Sequence, residues 1–509
     1  MTERQKRMPF LSGLWDLSFD KNFVIHYRNF QSKIIPNQKH SKCNFCNFAS
    51  MNSLVDKYNI PGPRYTSYPT VPYWNEAGFT ADLWKKSVIR SFSESNAEEG
   101  ISIYIHLPFC EALCTFCACH KRITKQHSVE IPYMESVLKE WKLYLELFNQ
   151  ESQAQTQKPK LKELHLGGGT PTFFSPENLR TLLQGIFDTV DIAEDQEFSF
   201  EGHPNNTTKA HLQTLYDLGF TRVSFGVQDY DPKVQKAINR IQPFENVKNV
   251  TEWAREIGYK GVSHDLVFGL PHQSWEAMEF TIRKTLELKP DRLAFYSYAH
   301  VPWVKGVGQR GFDENDLPSG EEKRRLYEDG KKLLEDLGYI EVGMDHFALH
   351  HDDLYQSLIQ KKLHRNFMGY TSSKTQLMVG LGMSAISDSW YAFAQNAKTV
   401  EEYQNMVEEG QIPVFRGHIL DQEDLMIRKH ILNLMCQLET SWDLQTSFPE
   451  IENAIEKLKE MESDGLVEIA ENQIKITEKG RAFTRNVAMV FDLRMLRNKP
   501  ETRIFSMTI

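Results

Sequence analysis

Apolar strand patterns and amphipathic helix patterns alternate regularly between residues 101 and 337, and this constrains the fold more than any other feature. Six short apolar segments have the composition of buried strands: 101–106, 163–166, 197–201, 222–226, 261–268 and 292–298. Helical patterns lie between or after them: 131–148, 176–189, 207–218, 231–257, 275–288 and 321–337. Such alternation predicts parallel strands joined by helical crossovers. We therefore expect an α/β fold built on an incomplete (β/α)6 barrel, with its chemistry after the strands' carboxyl ends.

The first predicted strand leads directly into a loop that carries four cysteines. Cys110, Cys114 and Cys117 form a Cys-x3-Cys-x2-Cys pattern, and Cys119 follows two residues later. Thiolates grouped this closely suit a soft metal centre, and a cubane iron–sulfur cluster takes one ligand for each of its four irons. If Cys119 does not ligate, three thiolates would leave one iron open to bind substrate. A structural zinc site, which normally adds a distant second ligand pair, and buried structural thiols are the alternatives.

Glycines and polar residues follow the later predicted strands. Gly167, Gly168 and Gly169 follow the second strand, and their N–H groups could hold an anionic group. The following strands and turns carry acids, an amide and a guanidinium: Glu201, Gln228, Arg240 and Asp265. Singly, each is as well explained as a solvated or paired residue. Together they suit a zwitterionic, sulfonium-bearing nucleotide, with arginine for a methionine carboxylate and the acids for ribose hydroxyls or the cation.

The composition excludes several classes of protein. A formal net charge of −9 argues against a general nucleic-acid binder. Seven cysteines, four of them in one loop, do not resemble a secreted disulfide framework. The sequence has no uninterrupted apolar run long enough to span a membrane, and its start is a poor targeting peptide. We therefore expect a cytoplasmic enzyme.

The ends of the chain differ from the predicted barrel. Residues 1–50 have no helical or strand period, and we expect a disordered leader or an upstream extension, with translation starting at Met51. Cys43 and Cys46 lie there, but no second ligand pair stands close enough for a zinc site. Residues 51–100 predict an extended segment, because of their prolines, followed by a short helix.

The predicted barrel spans residues 101–345, and residues 346–509 predict a mainly helical C-terminal domain. Residues 465–477 have the pattern of a hairpin that follows helices, which indicates a winged-helix-like piece. With the acidic net charge we interpret it as a lid or scaffold.

The cysteine loop resembles the cluster loop of the radical S-adenosylmethionine (SAM) superfamily. From about residue 51 onward, the chain resembles the oxygen-independent coproporphyrinogen III oxidase family, also called coproporphyrinogen III dehydrogenases. The resemblance rests on several motifs in one order: residues 62–70, 104–119, 167–172, 226–229, 265–271, 343–348 and 364–370. Residues 1–50 fall outside it.

The resemblance implies which residues bind the cofactors. Cys110, Cys114 and Cys117 would ligate one [4Fe–4S] cluster, and Cys119 would not ligate but act near the substrate as a catalytic residue. Two SAM molecules are implied. The residues implied near the first are Tyr104, Gly168, Glu201 and Ile386. Those implied near the second are Phe116, Gly169, Thr170, Gln228, Arg240, Asp265 and Ala299.

The resemblance also implies a reaction and partners. Two propionate side chains of coproporphyrinogen III would be decarboxylated to vinyl groups, giving protoporphyrinogen IX, with two SAM consumed to methionine and 5′-deoxyadenosine. An electron-donor protein would supply the electrons, and the chain would act as a monomer without nucleic acid or membrane insertion. A haem-binding chaperone of the same superfamily is the alternative, although chaperones lack the leader at residues 64–70 and a cysteine at the Cys119 position. A radical enzyme with another substrate is the second alternative.

Overall fold

The computed structural model describes residues 54–150, 158–302, 308–443, 450–500, 502 and 504–508. The predictions for residues 1–50, including Cys43 and Cys46, lie outside these residues. Residues 54–509 form one structural unit. Within the described part of the chain, every helix is too short or too polar to cross a lipid bilayer.

Strands and helices alternate along most of the chain. The strands, numbered in chain order, are β1 (Ile101–Leu107), β2 (Phe109–Cys110), β3 (Arg122–Ile123), β4 (Lys160–Gly168), β5 (Asp191–Gly202), β6 (Arg222–Gln228), β7 (Gly261–Phe268), β8 (Arg292–Ser297), β9 (Ile340–Gly343), β10 (His346–Ala348), β11 (His364–Asn366), β12 (Gly369–Thr371), β13 (Leu377–Leu381), β14 (Ile386–Asp388), β15 (Ala392–Asn396), β16 (Val414–Ile419), β17 (Glu439–Ser441), β18 (Val467–Ala470) and β19 (Gln473–Ile476). The α-helices are Ala81–Ser95, Glu130–Phe148, Pro176–Phe187, Lys209–Asp217, Pro232–Ala237, Phe244–Ile257, Trp275–Leu286, Gly320–Asp336, Asp353–Ile359, Val400–Glu408, Gln422–Gln437, Ile451–Ser463, Thr484–Met489 and Leu493–Arg497.

Six parallel strands form the centre of the main sheet, in the order β1-β4-β5-β6-β7-β8. Each predicted strand and each predicted helix is present, and the helical pattern at 231–257 is broken into two helices as expected. Ile103 and Ile105 are fully buried against the surrounding helices. Because side chains alternate along a strand, Tyr104 and His106 face the opposite side of β1. That side holds the polar residues of the barrel interior.

The sheet extends beyond the predicted barrel on both sides. β13 pairs in parallel with β1, and β14, β15 and β16 continue the sheet in antiparallel pairs. On the other side, β10 and β9 follow β8. The sequence placed the end of the barrel at residue 345, yet four strands between residues 377 and 419 belong to the same sheet. These strands were not predicted, because each has five or six residues at most and gains its pairing only from distant segments. The strand order does not test whether residues 101–345 and 346–509 fold as separate domains, so that domain boundary stays a prediction.

Local signals explain where the helices begin and end. The Thr80 and Ser175 side chains accept hydrogen bonds from the first turns of the helices that follow them. Gly258 has a φ of 115° and ends the helix Phe244–Ile257 in the left-handed conformation that glycine adopts without strain.

The C-terminal part contains helices and a small separate sheet. The helices Gln422–Gln437 and Ile451–Ser463 precede the hairpin of β18 and β19, and β17 completes a three-stranded sheet. This helix–strand–helix–hairpin order confirms the winged-helix-like prediction. The extended N-terminal segment packs onto this part of the chain, where the guanidinium of Arg485 donates to the backbone carbonyls of Gly62 and Pro63.

Candidate active site

The cysteine loop is held at its base and along its length. β2 and β3 pair across the loop, which places Cys110 beside Ile123. The Thr115 backbone N–H donates to the Ile238 carbonyl at 2.9 Å, and the Asn239 amide donates to the Leu113 carbonyl at 2.7 Å. These bonds come from the turn after the helix Pro232–Ala237, so the loop is fixed against the neighbouring part of the barrel.

The three cysteines of the pattern lie in different electrostatic environments. Burial raises the pKa of the Cys110 thiol to about 11, although the Thr170 hydroxyl lies 3.3 Å from its Sγ. A hydrogen bond from the Cys119 side chain, together with the charges of Lys121 and Arg240, lowers the pKa of Cys117 to about 6. Cations and hydrogen-bond donors therefore favour thiolate at this end of the loop, and thiolate is the form that binds metal.

All three cysteines open on one cavity of about 280 Å³. Two more residues of the loop and three further segments of the barrel line it: Phe116, Lys121, Gly169, Thr170, His203, Asn205, Asn206, Asn239, Arg240 and Ile241. Arg240 Nη1 lies 3.7 Å from Cys114 Sγ. The cavity thus joins a thiol cluster, a glycine-rich turn and a guanidinium, as the sequence predicted for one rim of the barrel.

The residues expected near the first SAM also lie together. A Cβ built on Gly167 would lie 3.1 Å from the Tyr104 ring and 3.3 Å from the Glu201 carboxylate, so these two side chains flank the turn. The Gly168 N–H donates to Glu201 Oε2 at 3.3 Å. The main-sheet register brings Ile386 close by, because β13 pairs with both β1 and β14.

The residues expected near the second SAM are connected by hydrogen bonds. Arg240 Nη2 donates to the Gly226 carbonyl at 2.6 Å, and Asp265 lies opposite Gly226 on the next strand. Burial raises the pKa of Asp265 to about 7, although the Ser224 hydroxyl donates to it at 2.8 Å. The amide of Gln309 donates to the carbonyls of Phe116 and Ala299 at 3.2 Å and 2.7 Å.

Gln228 also belongs to this group. Its φ is 69°, and its amide nitrogen would lie 2.6 Å from a Cβ on Gly226. Gly226 is therefore needed for the close approach of Gln228 and Arg240.

Comparison with known proteins decides the family. Residues 104–285 match the model of the radical SAM superfamily. Proteins named oxygen-independent coproporphyrinogen III oxidase from Helicobacter pylori and Escherichia coli are 39% and 35% identical, over 86% and 90% of this chain and 95% and 98% of theirs. A solved structure of the coproporphyrinogen III oxidase from Escherichia coli, described as a radical SAM enzyme, matches with a TM-score of 0.79 at 33% identity, covering 87% of this chain and 98% of that one. The chain belongs to the oxygen-independent coproporphyrinogen III oxidases.

Membership of this radical SAM family gives the cofactors, a [4Fe–4S] cluster and SAM. The residues fit them. Among the described residues, no three His, Cys, Asp or Glu side chains converge as tightly as one metal ion requires. A cluster instead takes its ligands on separate irons, so three thiols spread around one cavity suit it better than they suit zinc.

Some residues of this coproporphyrinogen III oxidase site were not found from the sequence. Gln309 is nearly buried and holds two backbone carbonyls of the second SAM group, but nothing in its local sequence marks it. Lys121 lines the cavity, and its ammonium group lies 3.1 Å from the Cys119 carbonyl. Its place four residues after Cys117, the last cysteine of the pattern, is the one sequence signal that could have indicated it.

The histidines on the strands have hydrogen-bond partners within the protein. His264 is fully buried, and its Nε2 lies 2.9 Å from the Thr251 hydroxyl. His106 joins the Tyr104 hydroxyl at 3.0 Å to the His120 carbonyl at 2.8 Å. Burial lowers the pKa of His106 to about 4, so it is neutral at pH 7 and holds the loop in place.

Proposed function

We propose that this chain converts coproporphyrinogen III to protoporphyrinogen IX. Two propionate side chains each lose CO2, one hydrogen atom from the β-carbon and one electron, and become vinyl groups. The observation that carries the proposal is the shared cavity of Cys110, Cys114, Cys117 and Arg240, in a chain of this family. Haem-binding chaperone activity gains no support from any relative named above.

The chemistry that the bound cluster and SAM supply is one-electron cleavage of the sulfonium and removal of the hydrogen atom from the propionate. Cys110, Cys114 and Cys117 would hold the cluster. The bonds to Ile238 and Leu113 fix the loop, and the Thr170 hydroxyl supports Cys110.

The barrel residues would bind and orient SAM. Tyr104, Gly168, Glu201 and Ile386 would contact the first molecule. Phe116, Gly169, Thr170, Gln228, Arg240, Asp265 and Ala299 would contact the second. The guanidinium of Arg240 suits a carboxylate, and the two acids suit ribose hydroxyls or the sulfonium.

The remaining assignments concern the surroundings of the site. Cys119 would act near the substrate, because it is exposed and its backbone N–H donates to Cys117 Sγ at 3.4 Å.

Residues 118–120 are exposed and leave the loop accessible to an electron-donor protein. We propose a monomer in the cytoplasm, on the sequence arguments above.

Anaerobic reconstitution with iron and sulfide, followed by addition of SAM, a one-electron reductant and an electron acceptor, and then product analysis, tests the function. We expect protoporphyrinogen IX from coproporphyrinogen III, with two methionines and two 5′-deoxyadenosines formed per product. Haem binding without any turnover of coproporphyrinogen III would instead favour the chaperone.

A further inference from the structure

A row of residues crosses five neighbouring strands on the interior side of the sheet. Tyr104 of β1 lies opposite Gly380 of β13. The β13–β14 register continues to Gly380 and Ile386, and a Cβ on Gly380 would lie 2.5 Å from the Ile386 carbonyl. Ile386 lies opposite Gln395, and Gln395 lies opposite Arg416 of β16. Opposed residues point to one face, so Arg416 faces the same side as Tyr104, about 10 Å from Ile386 at two strand spacings.

Arg416 is held in a fixed orientation. Its Nε and Nη2 both donate to Gln395 Oε1, at 2.8 Å and 2.7 Å. Its guanidinium lies 5.7 Å from the ring centre of Trp74 and 5.4 Å from that of Phe415. The remaining nitrogen, Nη1, reaches Glu76 at 3.2 Å, but the Glu76 side chain is 55% exposed. An exposed pair of this kind is weak, so a better-placed carboxylate can replace Glu76.

Lys398 adds a second cation to the same place. Its ammonium group lies 5.3 Å from the ring centre of Phe415, so Lys398 and Arg416 share one aromatic ring. Phe415 itself is 46% exposed. The carboxylate that acts on Lys398 is Glu76, the same exposed group that pairs with Arg416. Burial and the charge of Arg416 lower the pKa of Lys398, and the charge of Glu76 raises it.

The two cations lie close to the cysteine loop. After burial, the charges of Lys398, Arg416 and Lys121 are the causes that lower the pKa of His120. His120 follows Cys119 directly, and its carbonyl accepts the hydrogen bond from His106. The charges of both cations thus reach the residue that follows Cys119, although Arg416 itself lies on the edge strand of the sheet.

We propose that Arg416 and Lys398 bind a propionate carboxylate of the tetrapyrrole substrate, one that is not reacting. This inference rests on the proposed function. A chain with a net charge of −9 keeps two cations beside an exposed phenylalanine, with one exposed carboxylate, Glu76, between them for compensation. That combination matches a substrate with apolar pyrrole rings and several carboxylates. The carboxylate takes Arg416 Nη1 and Lys398 Nζ, and a pyrrole ring contacts the exposed Phe415.

Binding of a stable analogue tests the site separately from turnover. Coproporphyrin III, which carries the same four carboxylates, and its tetramethyl ester are titrated against the reconstituted protein by fluorescence. We expect Arg416→Gln and Lys398→Gln each to weaken coproporphyrin III binding by about tenfold, and Arg416→Lys to weaken it less. SAM affinity and iron content stay at the wild-type level. The ester binds weakly to every variant.

Two control variants carry the same chemical change elsewhere. Arg180→Gln and Lys209→Gln each remove a cation from an exposed pair on an outer helix, and we expect wild-type binding from both. Unchanged coproporphyrin III affinity in Arg416→Gln and Lys398→Gln would overturn the proposal, as would equal binding of acid and ester by the wild type. A defect confined to reduction by an acidic electron-donor protein would assign the cations to that partner instead.

Different results would overturn the proposed reaction and the proposed carboxylate site. If the wild type forms no protoporphyrinogen IX but the variants still lose coproporphyrin III binding, the proposed reaction is wrong and the carboxylate site stands. If the wild type turns over and the variants bind and react normally, the carboxylate site is wrong and the reaction stands.

Discussion

The Glu140 carboxylate accepts a hydrogen bond from the backbone N–H of Gly382 at 2.8 Å, across 242 positions of the chain. Asn396 and the Tyr403 hydroxyl donate to the same carboxylate, each at 2.7 Å. Gly382 starts the turn between β13 and β14, and that turn leads to Ile386. A fully buried carboxylate on an outer helix therefore positions a segment of the first SAM group.

Replacement of Glu140 with Gln should destabilise the protein and weaken SAM binding. A protonated carboxyl presents one donor, which the Tyr403 hydroxyl can accept, whereas the glutamine amide presents two N–H groups against partners of which two can only donate. We expect a loss of about 1–3 kcal/mol in the free energy of unfolding, measured with urea. Iron content should remain unchanged. Wild-type stability would show that the network does not fix the turn.

The pKa of Glu140 also predicts how the Tm of Glu140→Gln depends on pH. Burial raises the pKa of Glu140 from its ordinary value of 4.5 to about 8. Between these values the folded protein binds a proton that the unfolded chain does not, so this group's contribution to stability is lost as pH rises. Glu140→Gln should therefore show a flatter decline of Tm between pH 5 and 8 than the wild type. Parallel curves would contradict the pKa shift.

Removal of any cysteine of the pattern should prevent assembly of the cluster. We expect anaerobically purified wild type to hold about four irons and four sulfides per chain. Cys110→Ala, Cys114→Ala and Cys117→Ala should each lose most iron and the visible absorbance. Cys436→Ala offers a matched control, because Cys436 is buried in the C-terminal core. A complete cluster in Cys117→Ala would make the ligand assignment wrong.

The parallel core was predictable because buried parallel strands have nearly continuous apolar sequences between helices. β7, for example, begins and ends at the predicted residues. β15 has the sequence Ala-Phe-Ala-Gln-Asn, in which four of the five residues have little intrinsic preference for strands. It becomes a strand because β14 and β16 pair with it on either side. Only the folded chain shows this pairing.

The residues of the site also fall into two groups, those that the local sequence predicts and those that only the fold reveals. The cysteine spacing and the glycine run are local, so the sequence alone placed them. Arg416 and Gln309 carry no local signal, since their positions depend on strand register and on a loop that crosses to Phe116. The sequence could list residues for each SAM, but it could not show that a second cation stands beside Arg416.

Asp265 should make SAM binding depend on pH. Its pKa is raised to about 7 by burial, so the carboxyl is largely protonated at pH 6 and largely ionised at pH 8. An ionised carboxylate is the better acceptor for ribose hydroxyls and the better partner for a sulfonium. We expect the affinity for SAM to rise as pH rises from 6 to 8, and Asp265→Asn to lose that rise. The measurement is equilibrium binding of SAM at fixed ionic strength.

A matched variant controls for changes at other titrating groups. Asp217→Asn alters an exposed carboxylate on an outer helix and should keep the wild-type pH profile. If Asp265→Asn also keeps the rise, another group is responsible for it.

Replacement of Cys119 should separate cluster assembly from turnover. Cys119 is exposed, which argues against the interpretation that it only packs the loop. Although the residue is exposed, the hydrogen bond to Cys117 and the protein atoms around the thiol raise the pKa of Cys119 well above the usual value, so the thiol stays protonated. A protonated thiol beside the cluster loop can donate a hydrogen atom or a hydrogen bond. We expect Cys119→Ser to keep the iron content and the cluster spectrum but to lose protoporphyrinogen IX formation. Near-normal turnover would leave only a packing role, and an iron deficit would make Cys119 part of cluster assembly.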